Sequence, residues 1–382
     1  MTDIIHLFSG IGVVIDEAIN DVGQINGIQK IVQSIEGKHI PILKYEDLPS
    51  DETITHLHSI SFIILDWNLS GVQPTPSATI TDNIEFIKKI NLLCFIPIFI
   101  FSDENPHDIE VALSENGINI SNDHIFIRKK EDLDTADKLF EEITNWTKKT
   151  PSIYVLKEWE IETREAKATM LSDLSAAHPC WPSVLTDAIK DDGGDKSWGL
   201  MNSLQSNLSH RINSPEFDYD IININKEGIT KEEIRKILEC ERFIPATKLP
   251  DYPFAGDIYY FEDNYYVNIR PDCDIIREKK DLYLLKGNVI DETTINNEED
   301  NEKKIVFEKG EFQEKVNNCF VAFIDGKILC FSMRTLKIKK WNEIKGNRRG
   351  RLLPPYITKI QQKYSSYIQR QGLPSIPNQA IK

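Results

Sequence analysis

The first 150 residues predict an α/β fold, a doubly wound five-stranded parallel sheet, and two observations support this class. Five short runs are continuously apolar rather than alternating, which indicates strands that are buried on both faces. Stretches with helical spacing separate these runs. After residue 150 the pattern changes to helices over 151–250 and then to several short strands over 251–382. We therefore predict a sheet domain, a helical linker domain and a small β-barrel domain with a basic C-terminal helix.

The elements of the first domain follow from these runs. A strand is expected wherever three to six apolar residues stand together, and a helix wherever apolar residues recur every three or four positions. The predicted strands are 12–15, 40–43, 62–65, 96–101 and 125–127. The predicted helices are 25–36, 84–90, 108–116 and 133–146.

The rest of the chain is predicted by the same signals. Helical spacing marks 154–177, 183–188, 198–212 and 231–240, and Thr230 with Glu233 forms a capping box at the start of the last of these. Beyond residue 250, strands are expected at 257–261, 265–269, 282–285, 304–307, 319–324 and 327–333. The pair Asp325-Gly326 is a strong hairpin signal. The stretch 291–302 is acidic and is predicted to be a loop, and a helix is expected from 356 to 370.

Composition limits the class of protein. The chain has 382 residues and a formal net charge of −15, which argues against a general nucleic-acid coat, although the basic tail 337–382 leaves a local nucleic-acid contact open. No apolar run is long enough for a membrane span, and the N-terminus lacks the basic residues of a signal peptide. A cytoplasmic protein without a membrane partner is the expectation. The six cysteines include no CxxC spacing, which favours buried thiols over a zinc site.

Polar residues lie within two positions of the end of four of the predicted parallel strands. These residues are Asp16, Glu17, Asp66, Ser102 and Lys129. The carboxyl ends of parallel strands lie at one edge of a sheet, so we expect these side chains to meet. Carboxylates in contact repel one another unless a cation lies between them, and oxygen ligands suit Mg²⁺. With that charge neutralised, the Asp66 carboxylate is a candidate nucleophile toward a phosphoryl group, which Lys129 and Ser102 would bind.

Residues 12–146 resemble a response-regulator receiver domain, which has a flavodoxin-like fold. The segments that carry the resemblance are VIDE at 14–17, ILDWNLSG at 64–71, FIFS at 99–102 and FIRK at 126–129. The resemblance implies that Asp66 accepts a phosphoryl group from a partner histidine kinase and signals to a downstream effector protein. It also implies that Mg²⁺ is held by Asp16, Glu17, Asp66 and the main-chain carbonyl of Asn68.

The resemblance further implies a switch pair, Ser102 and Phe126, and a lysine that clamps the phosphoryl group. Phe126 is assigned because it lies three positions before Lys129. Lys130 stands where receivers usually have proline, so the sequence leaves the choice between Lys129 and Lys130 open. Together with an insertion at 72–81 and Asp82-Asn83 where receivers typically have Asp-Gly, these departures resemble the divergent receivers of bacterial conflict systems, such as Detocs-like anti-phage phosphorelays.

Two other functions stay open. The segments GDIY at 256–259 and NIRPDCD at 268–274 resemble the barrel of MazF/PemK-type RNA-cleaving toxins, which would give Arg270 a role at a phosphate. Alternatively the receiver is an inert pseudo-receiver that serves as a scaffold. In the preferred interpretation the chain is a phospho-acceptor and not an enzyme, apart from slow hydrolysis of its own acyl phosphate, and a homodimer is compatible with it.

Overall fold

The computed structural model divides the chain into two compact units. The first consists of Met1–His178 and Gln205–Asn225, and the second of Pro179–Leu204 and Lys226–Lys382. The helical region predicted as a separate domain, 151–250, therefore contributes to both units. The structure describes residues 4–22, 26–57, 59–118, 124–133, 135–213, 216–223, 228–277, 281–290, 305–308, 311–314 and 319–369.

The first unit contains the predicted five-stranded parallel sheet. Its strands are β1 Gly12–Ile15, β2 Ile42–Tyr45, β3 Phe62–Leu65, β4 Ile98–Ser102 and β5 Ile125–Lys129. The strand order is β2-β1-β3-β4-β5, and every pair is parallel. The five-stranded α/β prediction is thus confirmed.

Helices cover both faces of this sheet because the inner strands β1, β3 and β4 are buried along their whole length and carry apolar side chains on both faces. On one face Val14, Ile64 and Phe99 pack against two helices, and on the other Val13 and Ile63 pack against three more. The first face is covered by α1 Gly27–Glu36 and α5 Ala136–Lys149, and the second by α2 Asp51–Ile54, α3 Ser77–Leu93 and α4 Pro106–Glu115. Successive side chains on a strand point to opposite faces, which explains the alternation between the two clusters.

The helical stretch begins with a long helix in the first unit, α6 Pro151–Ala177. The fully buried Lys157 on α6 donates to the carbonyl of Ser61 at 2.7 Å and pairs with Glu160 at 2.8 Å. The contact of Lys157 with Ser61 holds α6 next to the start of β3. The helices that follow are α7 Trp181–Asp191, α8 Lys196–Arg211, α9 Tyr219–Ile222 and α10 Lys231–Arg242. Thr230 and Glu233 form the predicted capping box at the start of α10.

The second unit contains a nearly closed, barrel-like antiparallel sheet. Its strands are β6 Phe243–Pro245, β7 Asp257–Phe261, β8 Asn264–Asn268, β9 Asp281–Val289, β10 Ile305–Glu308, β11 Glu311–Glu314, β12 Cys319–Ile324, β13 Lys327–Lys340 and β14 Arg348–Leu352. The order is β10-β11-β12-β13-β9-β8-β7-β14-β6. The predicted barrel-like sheet is present, and the structure adds β6, β11 and β14.

From residue 243 onward, the described part of the chain also contains the helices α11 Asp272–Arg277, α12 Trp341–Ile344 and α13 Tyr356–Gln369. The last is the predicted C-terminal helix, and its Ile357 and Ile360 are buried in the core of the barrel-like sheet. The acidic stretch 291–302 and the end of the basic tail, 370–382, lie outside the described residues.

Two expectations about the surface are tested. Within the described ranges, no helix combines the length and the apolar composition that crossing a membrane requires.

The expectation of buried thiols is wrong for Cys180, Cys240 and Cys273, which are exposed, whereas Cys330 is buried. Cys180 precedes α7 and Cys240 lies on α10, and no residue of either helix is buried.

Candidate functional site

Two carboxylates meet where β1 and β3 end. Ile15 and Leu65 are paired in the parallel register, so the next residue of each strand, Asp16 and Asp66, lies at the same edge of the sheet. The backbone N–H of Asp66 donates to the carbonyl of Ile15 at 2.8 Å, which continues the pairing to this edge. Asp16 is 0% exposed and Asp66 is 3% exposed. The apolar strands therefore bring two carboxylates out of water and next to each other.

Glu17 completes an acidic cluster. One carboxylate oxygen from each of Asp16, Glu17 and Asp66 lies within 4.8 Å of the others. The Oδ1 of Asp16 accepts the N–H of Ala18 at 2.9 Å, which fixes the turn that presents Glu17. The structure therefore brings together the three carboxylates that the sequence placed at strand ends.

Lys130 is the cation of this cluster. Its Nζ lies 2.7 Å from Asp16 Oδ2 and 2.8 Å from Asp66 Oδ2. Lys129 is the last residue of β5, and its Nζ pairs instead with the exposed Glu131 at 3.2 Å. Lys130 begins a 3-10 helix, Lys130–Leu133, and this turn directs its side chain to the carboxylates. Of the two lysines that the sequence left open, the structure places Lys130 at the site and not Lys129.

The charges of the cluster do not balance. Three carboxylates and one ammonium give a formal charge of 1 − 3 = −2. Burial, together with the neighbouring Asp66 and Asp16, raises the pKa of Glu17 to about 7. Burial also raises the pKa of Asp16, against the attraction of Lys130. Burial opposes the charge on Lys130, but Asp66 and Asp16 outweigh it and raise its pKa. The ammonium thus stays charged, and near neutral pH the cluster gains stability from one more proton or cation.

These residues fit a hard divalent cation. All three acidic side chains offer oxygen ligands, the type that Mg²⁺ prefers. Glu17 Oε2 is buried and has no hydrogen-bond partner in the described part of the chain. A buried oxygen without a donor is costly, and a cation bound beside it would remove that cost.

The loop after β3 orients Asp66. Asp66 Oδ1 accepts the backbone N–H of Asn68 at 3.2 Å. The carbonyl of Asn68, predicted as a metal ligand, accepts the N–H of Gly71 at 3.4 Å within a turn. The fully buried Asn83 on α3 donates to the carbonyl of Trp67 at 2.7 Å. The backbone on the C-terminal side of Asp66 is therefore fixed by hydrogen bonds.

Ser102 links the neighbouring strand to the same loop. Ser102 is 1% exposed, and its Oγ accepts the N–H of Glu104 at 3.4 Å. Glu104 Oε1 in turn accepts the N–H of Thr75 at 3.1 Å and its hydroxyl at 2.5 Å. Thr75 lies in the insertion 72–81. A continuous chain of contacts thus joins the predicted switch hydroxyl to the inserted loop.

Phe126 lies in the core of the sheet domain. Its ring packs edge-on against Phe99 and Phe101 and lies against Trp146, and the guanidinium of Arg128 stands 4.4 Å from its centre. The sequence assigned Phe126 to the switch because it precedes Lys129 by three positions. With Lys130 at the site, the corresponding residue is Ile127, so this spacing no longer supports a switch role for Phe126.

The barrel residues that suggested RNA cleavage have structural partners. Arg270 is 4% exposed, donates to the carbonyl of Asp281 at 2.9 Å and lies 5.1 Å from the ring of Tyr283. Asp257 is fully buried and pairs with Arg351 at 2.7 Å. Asp272 accepts the N–H of Ala255 at 2.6 Å. Because these groups hold the fold together, we do not propose a cleavage site here.

Glu104, Thr75 and Asn83 are the site residues that sequence reasoning missed. Glu104 follows Ser102 by two positions in a polar loop, and Thr75 belongs to an insertion, so neither carries a periodic signal. Asn83 lies one position before the predicted helix 84–90, whose spacing singles out apolar residues only. No family model matches the chain, and a search of the curated proteins finds no match. The function is therefore argued from the geometry of the site.

Proposed function

We propose that this chain is a response-regulator-like phospho-acceptor. In this proposal Asp66 receives a phosphoryl group from a phosphohistidine of a partner histidine kinase, with Mg²⁺ as cofactor. The observation that carries the proposal is the contact of one buried aspartate with two further acidic side chains and a lysine at the end of a parallel strand. The strand order 2-1-3-4-5, that of flavodoxin-like folds, supports the receiver interpretation.

The two oxygens of Asp66 have different roles in this proposal. Oδ1 is held by the N–H of Asn68, which orients the carboxylate. Oδ2 faces the ammonium of Lys130 and is the oxygen that attacks phosphorus. The O–P bond forms as the P–N bond of the phosphohistidine breaks, and the imidazole nitrogen keeps the electron pair. Lys130 then binds the transferred phosphoryl oxygens and offsets their charge.

Asp16 and Glu17 would hold the divalent cation together with Asp66. The bound cation would neutralise charge between the entering phosphoryl group and the carboxylates. Because Asp16 is fully buried and already paired with Lys130, it is fixed before any ligand arrives. Preorganised charges of this kind cost no rearrangement at the moment of transfer.

Ser102 and Glu104 offer a route from Asp66 to the surface. A phosphoryl group on Asp66 attracts the hydroxyl of Ser102, which now accepts the N–H of Glu104. Loss of that contact would weaken the hold of Glu104 on Thr75 and change the inserted loop. In this proposal the loop is the surface that a downstream effector protein reads.

Bacterial anti-phage defence is the proposed setting, and it rests on the divergent insertion and on the resemblance described above. A phage plating assay in cells that carry the gene with its neighbours tests it. We expect Asp66→Asn to lose protection while the protein level is unchanged. Equal plating efficiency with wild type and Asp66→Asn would refute the role in defence.

Acetyl phosphate provides the test of the acceptor itself. Purified full-length protein is incubated with acetyl phosphate and Mg²⁺ and run on a phosphate-affinity gel. We expect a slower band for wild type and for Lys129→Met, a much fainter one for Lys130→Met, and none for Asp66→Asn. A wild-type protein that gives no slower band with acetyl phosphate or a phosphorylated histidine kinase is the inert scaffold, and the proposal fails.

A further inference from the structure

Lysines line one face of the sheet in the second unit. Directly paired residues of neighbouring strands point to the same face. Lys286 is paired with Tyr266, Lys337 with Leu284, and Lys339 with Leu282. Tyr266, Leu284 and Leu282 belong to one buried cluster, so the three lysines lie on the same face of the sheet as that cluster. We call this surface the lysine face and define it by Phe261, Tyr266, Lys286, Lys337 and Lys339.

An aromatic pair lies beneath the lysines. The rings of Phe261 and Tyr266 stack with centres 4.3 Å apart and planes 14° apart. The ammonium of Lys337 is 5.3 Å from the centre of Tyr266 and 6.0 Å from that of Phe261. Tyr266 is buried, whereas Phe261 is partly exposed beside the lysines. The lysine face therefore combines positive charge with an accessible aromatic ring at the level of the sheet.

The charge of this region is opposite to that of the chain. Residues 334–351 contain eight Lys or Arg and one acidic residue, in a protein of net charge −15. Glu262 is paired with Lys337, and Asp257 with Arg348 and Arg351, but Arg334, Lys340, Lys345 and Arg349 are exposed. A ligand attracted to this region is thus a polyanion.

We propose that the lysine face binds single-stranded nucleic acid, RNA or DNA. Lysines spaced along a sheet contact successive phosphates, and an aromatic ring between them stacks with a base. Tyr266 is buried and Phe261 only partly exposed, whereas binding to a lipid surface requires apolar side chains that project into the membrane. This binding site is independent of Asp66 and of the phospho-acceptor proposal.

Fluorescence anisotropy with short fluorescein-labelled single strands, one RNA and one DNA, tests the inference on the full chain. At about 50 mM KCl we expect Lys337→Gln with Lys339→Gln to weaken binding about tenfold. Two lost phosphate contacts should also lower the slope of log K against log salt by about 1.4. We expect Phe261→Leu to weaken binding about tenfold with an unchanged slope, because it removes stacking and no charge.

Lys30→Gln with Lys88→Gln is the matched control, because both lysines are exposed on helices of the first unit and the charge change is the same. Circular dichroism melting curves confirm that each variant is folded. Binding of either strand that falls in the face variants and not in the control supports the inference. It is overturned if neither strand binds, if the control loses as much affinity, or if only phosphatidylserine vesicles bind.

Discussion

Replacing Lys130 by methionine should destabilise the first unit much more than replacing Lys129. The Lys130 ammonium lies within 2.8 Å of two carboxylates, and its side chain is only 11% exposed. Removing one partner of a buried ion pair typically costs about 3–5 kcal/mol. Since this edge of the sheet is not fully sealed from water, we expect a loss near 3 kcal/mol. Lys129→Met removes an exposed pair with Glu131 and should cost about 0.5 kcal/mol or less.

The loss in Lys130→Met should depend on pH. Without the ammonium, the carboxylates of Asp16, Glu17 and Asp66 have only protons to relieve their repulsion. The pKa values of Asp16 and Glu17 are already raised in the folded protein. A group with a raised folded pKa stabilises the fold below its unfolded pKa, and this stability is lost as the pH rises through the folded value. The penalty should therefore be smallest near pH 4 and grow through about pH 7.

Native-state hydrogen exchange of peptides that cover β1 and β3 measures this loss, because it reports the opening free energy of the first unit separately from the second. The experiment is done without divalent cations and repeated with Mg²⁺. An equal opening free energy for Lys130→Met and Lys129→Met, or a penalty that does not change with pH, would refute the charge arrangement that we describe.

Three further predictions follow from individual contacts. Mg²⁺ affinity, measured by titration calorimetry, should rise with pH through about 7 and then level off, because protons compete with the cation for Glu17. The variant Glu17→Gln should show a flatter dependence of affinity on pH. Glu104→Ala should speed hydrogen exchange of the Thr75 amide, because it removes hydrogen bonds to a charged group, which are worth about 1.5–3 kcal/mol each. Unchanged exchange would refute the proposed connection between Ser102 and the inserted loop. Asp257→Asn should lower the melting temperature of the second unit and leave phosphorylation of Asp66 unchanged, because it breaks the buried pair with Arg351.

The sheet domain could be predicted because its inner strands β1, β3 and β4 are continuously apolar up to the polar residue that ends each run. Such runs identify strands that are buried on both faces, and they place Asp16 and Asp66 at strand ends without knowledge of the tertiary structure. The edge strand β2, with the pattern Ile42–Tyr45, is only partly buried and was predicted two residues early. Its weaker apolar signal reflects its position at the edge of the sheet.

The choice between Lys129 and Lys130 could not be predicted, because it depends on the residue at which β5 gives way to a 3-10 helix. A shift of one position reverses the direction of a side chain. The same shift separates Phe126 from the switch position. These details depend on backbone geometry that single-residue patterns do not encode.

Strand β14 was missed for a different reason. Its sequence, RRGRL, has no apolar alternation and is a poor strand by composition. It is held in the sheet by pairing with β6 and β7 and by the ion pairs of Arg348 and Arg351 with the buried Asp257. Tertiary electrostatics therefore overrides local propensity here, and Arg348 and Arg351 of the basic tail are partly buried.

Chemical mapping of the modified residue tests the central claim most directly. Full-length protein treated with acetyl phosphate and Mg²⁺ is reduced with borohydride, which converts an aspartyl phosphate to homoserine, and is then digested for mass spectrometry. We predict homoserine at position 66 in wild type and an unmodified residue in protein that was not treated with acetyl phosphate. Homoserine at another aspartate, or at none, would contradict the assignment of Asp66 as the phospho-acceptor.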